Sequence, residues 1–165
     1  VGDAEANRVS AIATKRGKSV HAICERYLNN EDNYLRDVMP DSKANFLSIK
    51  PYLDRINNIH YQEQTLWSKI VGLAGRVDCI AEYDGVLSVI DFKTSKKVKT
   101  KEDIVDYFAQ CTAYACMYEE LVGVPIDQIV VIMAVENEQP IIFVEKTEDH
   151  LNNLLDHISF YKNIK

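Results

Sequence analysis

Residues 75–94 read GRVDCIAEYDGVLSVIDFKT, two runs rich in Val, Ile, Tyr and Phe on either side of Asp84-Gly85. Asp-Gly is a preferred two-residue hairpin turn because both central positions take positive φ. The turn fixes the register. If Tyr83 faces Val86, then Ala81 faces Ser88, Cys79 faces Ile90, and Asp78 stands directly opposite Asp91. Side chains alternate along a strand, so Lys93 joins Asp91 on one face while Phe92 points the other way with Ile90, Val77 and Cys79.

Opposed residues on such a hairpin hold their Cβ atoms roughly 5 Å apart, and two carboxylates there repel by about 3 kcal/mol at an effective dielectric of 20. A proton retained on one acid, or a divalent cation between them, relieves that repulsion. Two acids beside a lysine point to the cation. The plainer alternative is a pair of solvated edge charges, with the register slipped by a bulge.

The surrounding chain sets bounds on this reading. Its 165 residues, 47% of them hydrophobic, suit one globular domain over 1–165 with a real core. There is no apolar run of membrane-spanning length and no charged-then-apolar leader, so neither a membrane role nor secretion is expected. Cys24, Cys79, Cys111 and Cys116 fit no CxxC site or disulfide framework, and they read as reduced core thiols in a cytosolic setting. The chain opens on Val1 rather than Met, which reads as a processed chain or a fragment of a longer one.

A net charge of -6 speaks mildly against nucleic acid, but the distribution matters more than the sum. Lys93, Lys96, Lys97, Lys99 and Lys101 gather just past the hairpin. Lys15, Arg16 and Lys18 gather near a second candidate site. Such a run is either a solvated loop or a track for phosphates.

Apolar spacing predicts a helix over Asp3–Leu28, with Gly17 marking a bend or a close approach, and it places His21 and Glu25 on one face. Asn29 to Asp41 reads as a polar loop. Ser42 is expected to cap a helix running to about Asn57 with Phe46, Ile49, Leu53 and Ile56 buried, kinked or restarted at Pro51. Ile59–Ser68 reads as a strand, from which Glu63 could approach the acidic face. Glu102–Val122 reads as a helix carrying Ile104, Phe108, Cys111, Ala115, Tyr118 and Leu121 inward and stopping at Gly123, with Gln110 and Tyr114 one turn apart. Strands over Ile129–Val135 and Ile141–Glu145 and a helix over Glu148–Tyr161 complete a mixed sheet flanked by helices, an α/β sandwich.

Four motifs in order, Gly17-Lys-Ser-Val-His21, Gly75-Arg-Val-Asp78, Asp91-Phe-Lys93-Thr and Gln110-Cys-Thr-Ala-Tyr114, resemble those of the RecB-type branch of the PD-(D/E)XK nuclease superfamily. Within that branch the compact size and the Arg16–Glu25 helix are most similar to the mitochondrial genome-maintenance exonuclease family and its phage relatives. Members of that family usually carry a further segment ahead of this helix.

The resemblance implies a restriction-endonuclease-like α/β fold and a set of roles. Asp78 and Asp91 would ligate one or two Mg²⁺ or Mn²⁺ ions, with His21 and the backbone carbonyl of Phe92 completing the protein's share. Lys93 would position or help deprotonate the attacking water. Gln110 and Tyr114 would orient the DNA strand or the lysine, and Lys96, Lys97, Arg16 and Lys18 would meet substrate. Glu25 and Glu63 would stand behind the ligands or touch substrate. An imidazole ligand tilts the site toward tolerating Mn²⁺.

One branch of the superfamily holds an iron-sulfur cluster on four cysteines, three of them near the C-terminus. This chain has no cysteine after Cys116, so no cluster is expected. The expected activity is metal-dependent exonuclease action on single-stranded DNA ends in replication, repair or recombination, with replication or recombination proteins as partners. The expected setting is the cytoplasm of a bacterial or phage-infected cell, a mitochondrial source staying open. A structure-specific endonuclease and a DNA- or protein-holding module without catalysis are the alternatives. The intact acid, acid and lysine set argues against the module.

Overall fold

The computed structural model describes residues 2–164, with side chains through position 159. Its sheet is built outward from the hairpin. β2 (Leu73–Tyr83) and β3 (Val86–Ser95) pair antiparallel with Tyr83 opposite Val86, Ala81 opposite Ser88 and Cys79 opposite Ile90. Asp84 and Gly85 both take positive φ, 50° and 81°, as the turn requires. β1 (Ile56–Ser68) lies antiparallel on the outer side of β2, and Gly72, at φ 74°, closes the turn between them.

Beyond β3 the chain passes through a 3-10 turn into α3 (Val105–Val122), then returns as β4 (Gln128–Val135), parallel to β3. That βαβ crossover makes the sheet mixed. β4 is central and covered on both faces, which is why it reads as an unbroken apolar run, QIVVIMAV. β5 (Ile141–Lys146) closes the sheet antiparallel in the order β1-β2-β3-β4-β5, and α4 (Leu151–Ile164) ends the chain.

The helices divide between the two faces. α1 (Asp3–Leu28) and α2 (Pro40–Leu53) bury Val20, Ile23, Phe46, Ile49 and Leu53 against Cys79, Ile90, Phe92 and Ile132. α3 and α4 bury Phe108, Cys111, Tyr118 and Leu154 against Val89, Ile129 and Val131. No helix among the described residues is long and apolar enough to cross a membrane.

Several expectations are corrected. α2 begins at Pro40, a residue suited to the first helical position, so Ser42 lies inside the helix rather than capping it. The helix runs past Pro51 but stops at Leu53, and Ile56 opens β1 while staying in the same core. Leu121, expected inward, is 39% exposed on the last turn of α3, and Cys116 is exposed rather than a core thiol. Val77 packs in the α3-side core with Ile80, not beside Phe92. Its displacement follows from an irregularity at the next residue, described below.

Candidate metal centre

The pairing of β2 with β3 stops at Cys79 and Ile90, one step before Asp78 and Asp91 would meet. In place of a further rung, Asp78 Oδ2 accepts the amide of Phe92 at 2.9 Å, so the side chain bridges the gap the strands open. On the other side of β2 the ladder runs from Gln62 opposite Cys79 to Gln64 opposite Val77 and omits the pair between them, Glu63 with Asp78. Glu63 has φ 51°. A non-glycine residue in the left-handed region costs on the order of 1–3 kcal/mol and persists only where its surroundings hold it. Arg76 does the holding: its Nε donates to the Glu63 carbonyl at 3.1 Å and lies 3.0 Å from Oε2.

Gly17 brings α1 against this opening. A Cβ there would stand 3.4 Å from Thr94 Oγ1, so the expected close approach is real, and the helix continues through it without a break. One turn on, His21 Nε2 lies 2.5 Å from the Phe92 carbonyl oxygen, while Nδ1 lies 3.5 Å from Asp78 Oδ1 and 3.9 Å from Glu63 Oε1. His21, Glu63 and Asp78 each offer a donor atom within 4.8 Å of the others. Two carboxylate oxygens and one imidazole nitrogen suit a hard divalent cation such as Mg²⁺ or Mn²⁺.

Asp91, expected as a ligand, is not one of these three clustered donors; it is 4% exposed, with Lys93 Nζ 3.2 Å from its Oδ2. The ammonium lies off the hydrogen-bonding direction, which leaves Oδ2 buried without an aligned donor. A buried carboxylate oxygen in that state is costly unless a cation or proton reaches it. Lys93 also rests its ammonium 4.4 Å from the ring centroid of Tyr107 on α3.

Burial lifts the Asp78 carboxyl far above the usual carboxylate range, and the Asp91 charge and hydrogen bond lift it further against the pull of the Phe92 amide. Burial also raises Glu63, against the opposing pull of His21 and Arg76. Burial alone would lower Lys93, but Asp91 and Asp78 outweigh it and hold the ammonium charged above its ordinary value. The cluster as a whole carries more negative charge than its surroundings stabilise.

The remaining expected residues separate into groups. Gln110 Nε2 donates to Tyr114 Oη at 3.2 Å, and the Tyr114 ring packs so tightly on Gly75 that an added Cβ would lie 2.9 Å from Cε1. Burial first, then the charges of Asp91 and Asp78, push the Tyr114 hydroxyl up to about 12. Lys18 and Glu25 line the same depression as His21, Glu63 and Arg76. Arg16 is instead gripped by two acids, Asp41 of α2 at 3.1 Å and Glu136 in the turn after β4 at 2.8 Å. Lys96 and Lys97 are exposed where β3 has ended. The Phe92 carbonyl, expected as a ligand, faces His21 Nε2.

Two members of the arrangement went unread in the sequence, Arg76 and Tyr107. Arg76 sits within Gly75-Arg-Val-Asp78, and Tyr107 lies three residues before Gln110 on the same stripe of α3 as Gln110 and Tyr114. That shared stripe was the available signal for Tyr107.

Comparison with known proteins agrees with this architecture. Mouse mitochondrial genome maintenance exonuclease 1 is 32% identical over 84 residues, and the human protein of that name is 29% identical over 85. Each alignment covers 51% of this chain and 25% of the relative, so the match spans about a quarter of their length. The crystal structure of a candidate exonuclease from Eubacterium rectale superposes with a TM-score of 0.60 at 14% identity, over 88% of this chain and 64% of the other, a likeness of fold. The family model of the PD-(D/E)XK nuclease superfamily matches residues 4–160, and the chain belongs to that superfamily.

Proposed function

We propose that the chain is a metal-dependent deoxyribonuclease, an exonuclease that hydrolyses phosphodiester bonds from single-stranded DNA ends in replication, repair or recombination. The observation that carries the reading is the buried pair Asp78 and Asp91, flanked by His21 and Glu63 on one side and by the Lys93 ammonium on the other. Membership of the superfamily and the exonuclease names of the matched relatives support it.

His21, Asp78, Asp91 and Glu63 would hold the cation, Mg²⁺ or Mn²⁺. When bound, it supplies a water of lowered pKa and offsets charge gathering on the phosphoryl oxygens. The chain's own part is to position and to neutralise. Lys93, fixed between Asp91 and Tyr107, presents its ammonium to the attacking water and to the phosphate. Gln110 and Tyr114 orient the strand entering beside β2, and Lys18 offers a charge to its backbone. The setting is a cytoplasm with DNA ends to process, with replication or recombination proteins as partners.

The test is hydrolysis of end-labelled oligonucleotides with Mg²⁺ or Mn²⁺. Asp91→Ala and Lys93→Ala should each slow cleavage by roughly 10²–10⁴-fold. An unchanged rate in either variant removes the mechanism. A covalently closed single-stranded circle should survive, and its cleavage would reassign the site to an endonuclease.

A further inference from the structure

Tyr107, on whose ring Lys93 rests, also lines an open cavity of about 530 Å³ between α3, α4 and the first residues of β2. Gln110, Tyr114 and Met117 continue the same wall, Ala74 and Gly75 form the β2 side, and Leu154 and His157 close it from α4. We propose that this cavity is a nucleobase subsite, taking the unstacked base of the nucleotide whose phosphate lies at Lys93. The assignment rests on the nuclease reading above and extends it to the base.

Three features choose the occupant. The first is continuity: one aromatic ring separates the ammonium from the cavity, and in a nucleotide one sugar separates phosphate from base. The second is charge. Among the described residues the lining has no Lys or Arg and includes Asp106, 3.2 Å from His157, so it suits an uncharged group rather than a second phosphate. The third is surface chemistry and size. Two tyrosine rings beside methionine, leucine and a glutamine amide give sequence-tolerant stacking with one polar contact, within a volume typical of small-molecule sites. A base held in a duplex stack cannot enter, which ties the cavity to single-stranded ends.

The test replaces one nucleotide at a time of an end-labelled oligonucleotide by an abasic residue. An abasic residue beside the scissile bond should slow the parent about tenfold. Ala74→Trp, at an exposed β2 position, should fill the cavity without opening the core, slow cleavage of the intact strand by a similar factor and erase the response to the abasic residue. Ala113→Leu, narrowing the cavity from α3, is the second variant should the first fail to fold.

Fluorescence of a terminal 2-aminopurine, read with Ca²⁺ in place of Mg²⁺, should be quenched by the parent and not by Ala74→Trp. Cleavage with equal rates at every abasic position overturns the subsite and leaves the nuclease reading standing. Absence of cleavage with every metal overturns the nuclease reading, while the fluorescence still decides whether a base enters. A dimer in solution that Ala74→Trp dissociates would make the cavity a self-association face and overturn the inference.

Discussion

Gly75→Ala isolates the contact between the second motif and the third helix. The added methyl would lie 2.9 Å from Tyr114 Cε1, closer than real Cβ contacts come, and 3.1 Å from Oη, tighter than most of them. Tyr114 is 6% exposed and its hydroxyl accepts from Gln110, so a displaced ring must break that hydrogen bond and shift into the cavity it lines. Overpacking of this kind costs about 1–3 kcal/mol. Loss of glycine's freedom in the unfolded chain returns about 0.4–1 kcal/mol, leaving a net loss of about 1.3 kcal/mol at the midpoints of the two ranges. At this chain length each kcal/mol lowers the melting temperature by about 2–4 °C.

Urea denaturation gives the stability, and oligonucleotide hydrolysis gives the activity lost with the displaced Gln110–Tyr114 pair. A second background completes the cycle: with Tyr114→Ala the ring is gone, and Gly75→Ala should then stabilise by about 0.4–1 kcal/mol. Gly75→Ala as stable as the parent, or equally costly in both backgrounds, would refute the reasoning.

Metal-free protein should lose stability as pH rises from about 4 through neutrality. Asp78 and Glu63 are raised in the folded state, so the folded chain binds more protons than the unfolded one across that range. Mn²⁺ at a hundred times its dissociation constant should restore about 2.7 kcal/mol, and Asp78→Asn should flatten the metal-free profile; denaturation across pH checks both. Glu63→Gln should weaken Mn²⁺ binding about 10–100-fold by calorimetric titration, and unchanged affinity would remove Glu63 from the cation's surroundings. Tyr107→Leu should reduce kcat and raise KM together while Tyr107→Phe retains both, because the ring face meets Lys93 on one side and walls the cavity on the other.

The hairpin was legible because its information is local. Asp84-Gly85 names a turn type, the turn names the register, and the register holds as far as Cys79 opposite Ile90, one step short of the expected rung between Asp78 and Asp91. The 26-residue span of α1 was legible for a similar reason, since apolar residues recur at helical spacing at Val9, Ile12 and Ala13 and again at Val20, Ile23 and Cys24. What escaped the sequence is set by distant contacts. Nothing near Glu63 announces a left-handed backbone that meets the Arg76 side chain of the neighbouring strand, and nothing near Asp78 announces the break in pairing across which Val77 and Cys79 join different core layers. Arg16 shows the same limit: a basic residue beside a motif reads as a substrate contact until Asp41 and Glu136 arrive from elsewhere in the chain.

The amide of Phe92 ends on a carboxylate where a strand partner would have stood, and this makes its proton a gauge of the centre's condition. Any event that draws Asp78 away, from protonation to a cation pulling it toward His21, loosens that proton before it disturbs the rungs behind it at Cys79 and Ile90. Hydrogen exchange at this single position would therefore register loading of the centre locally, apart from the rise in global stability that loading brings.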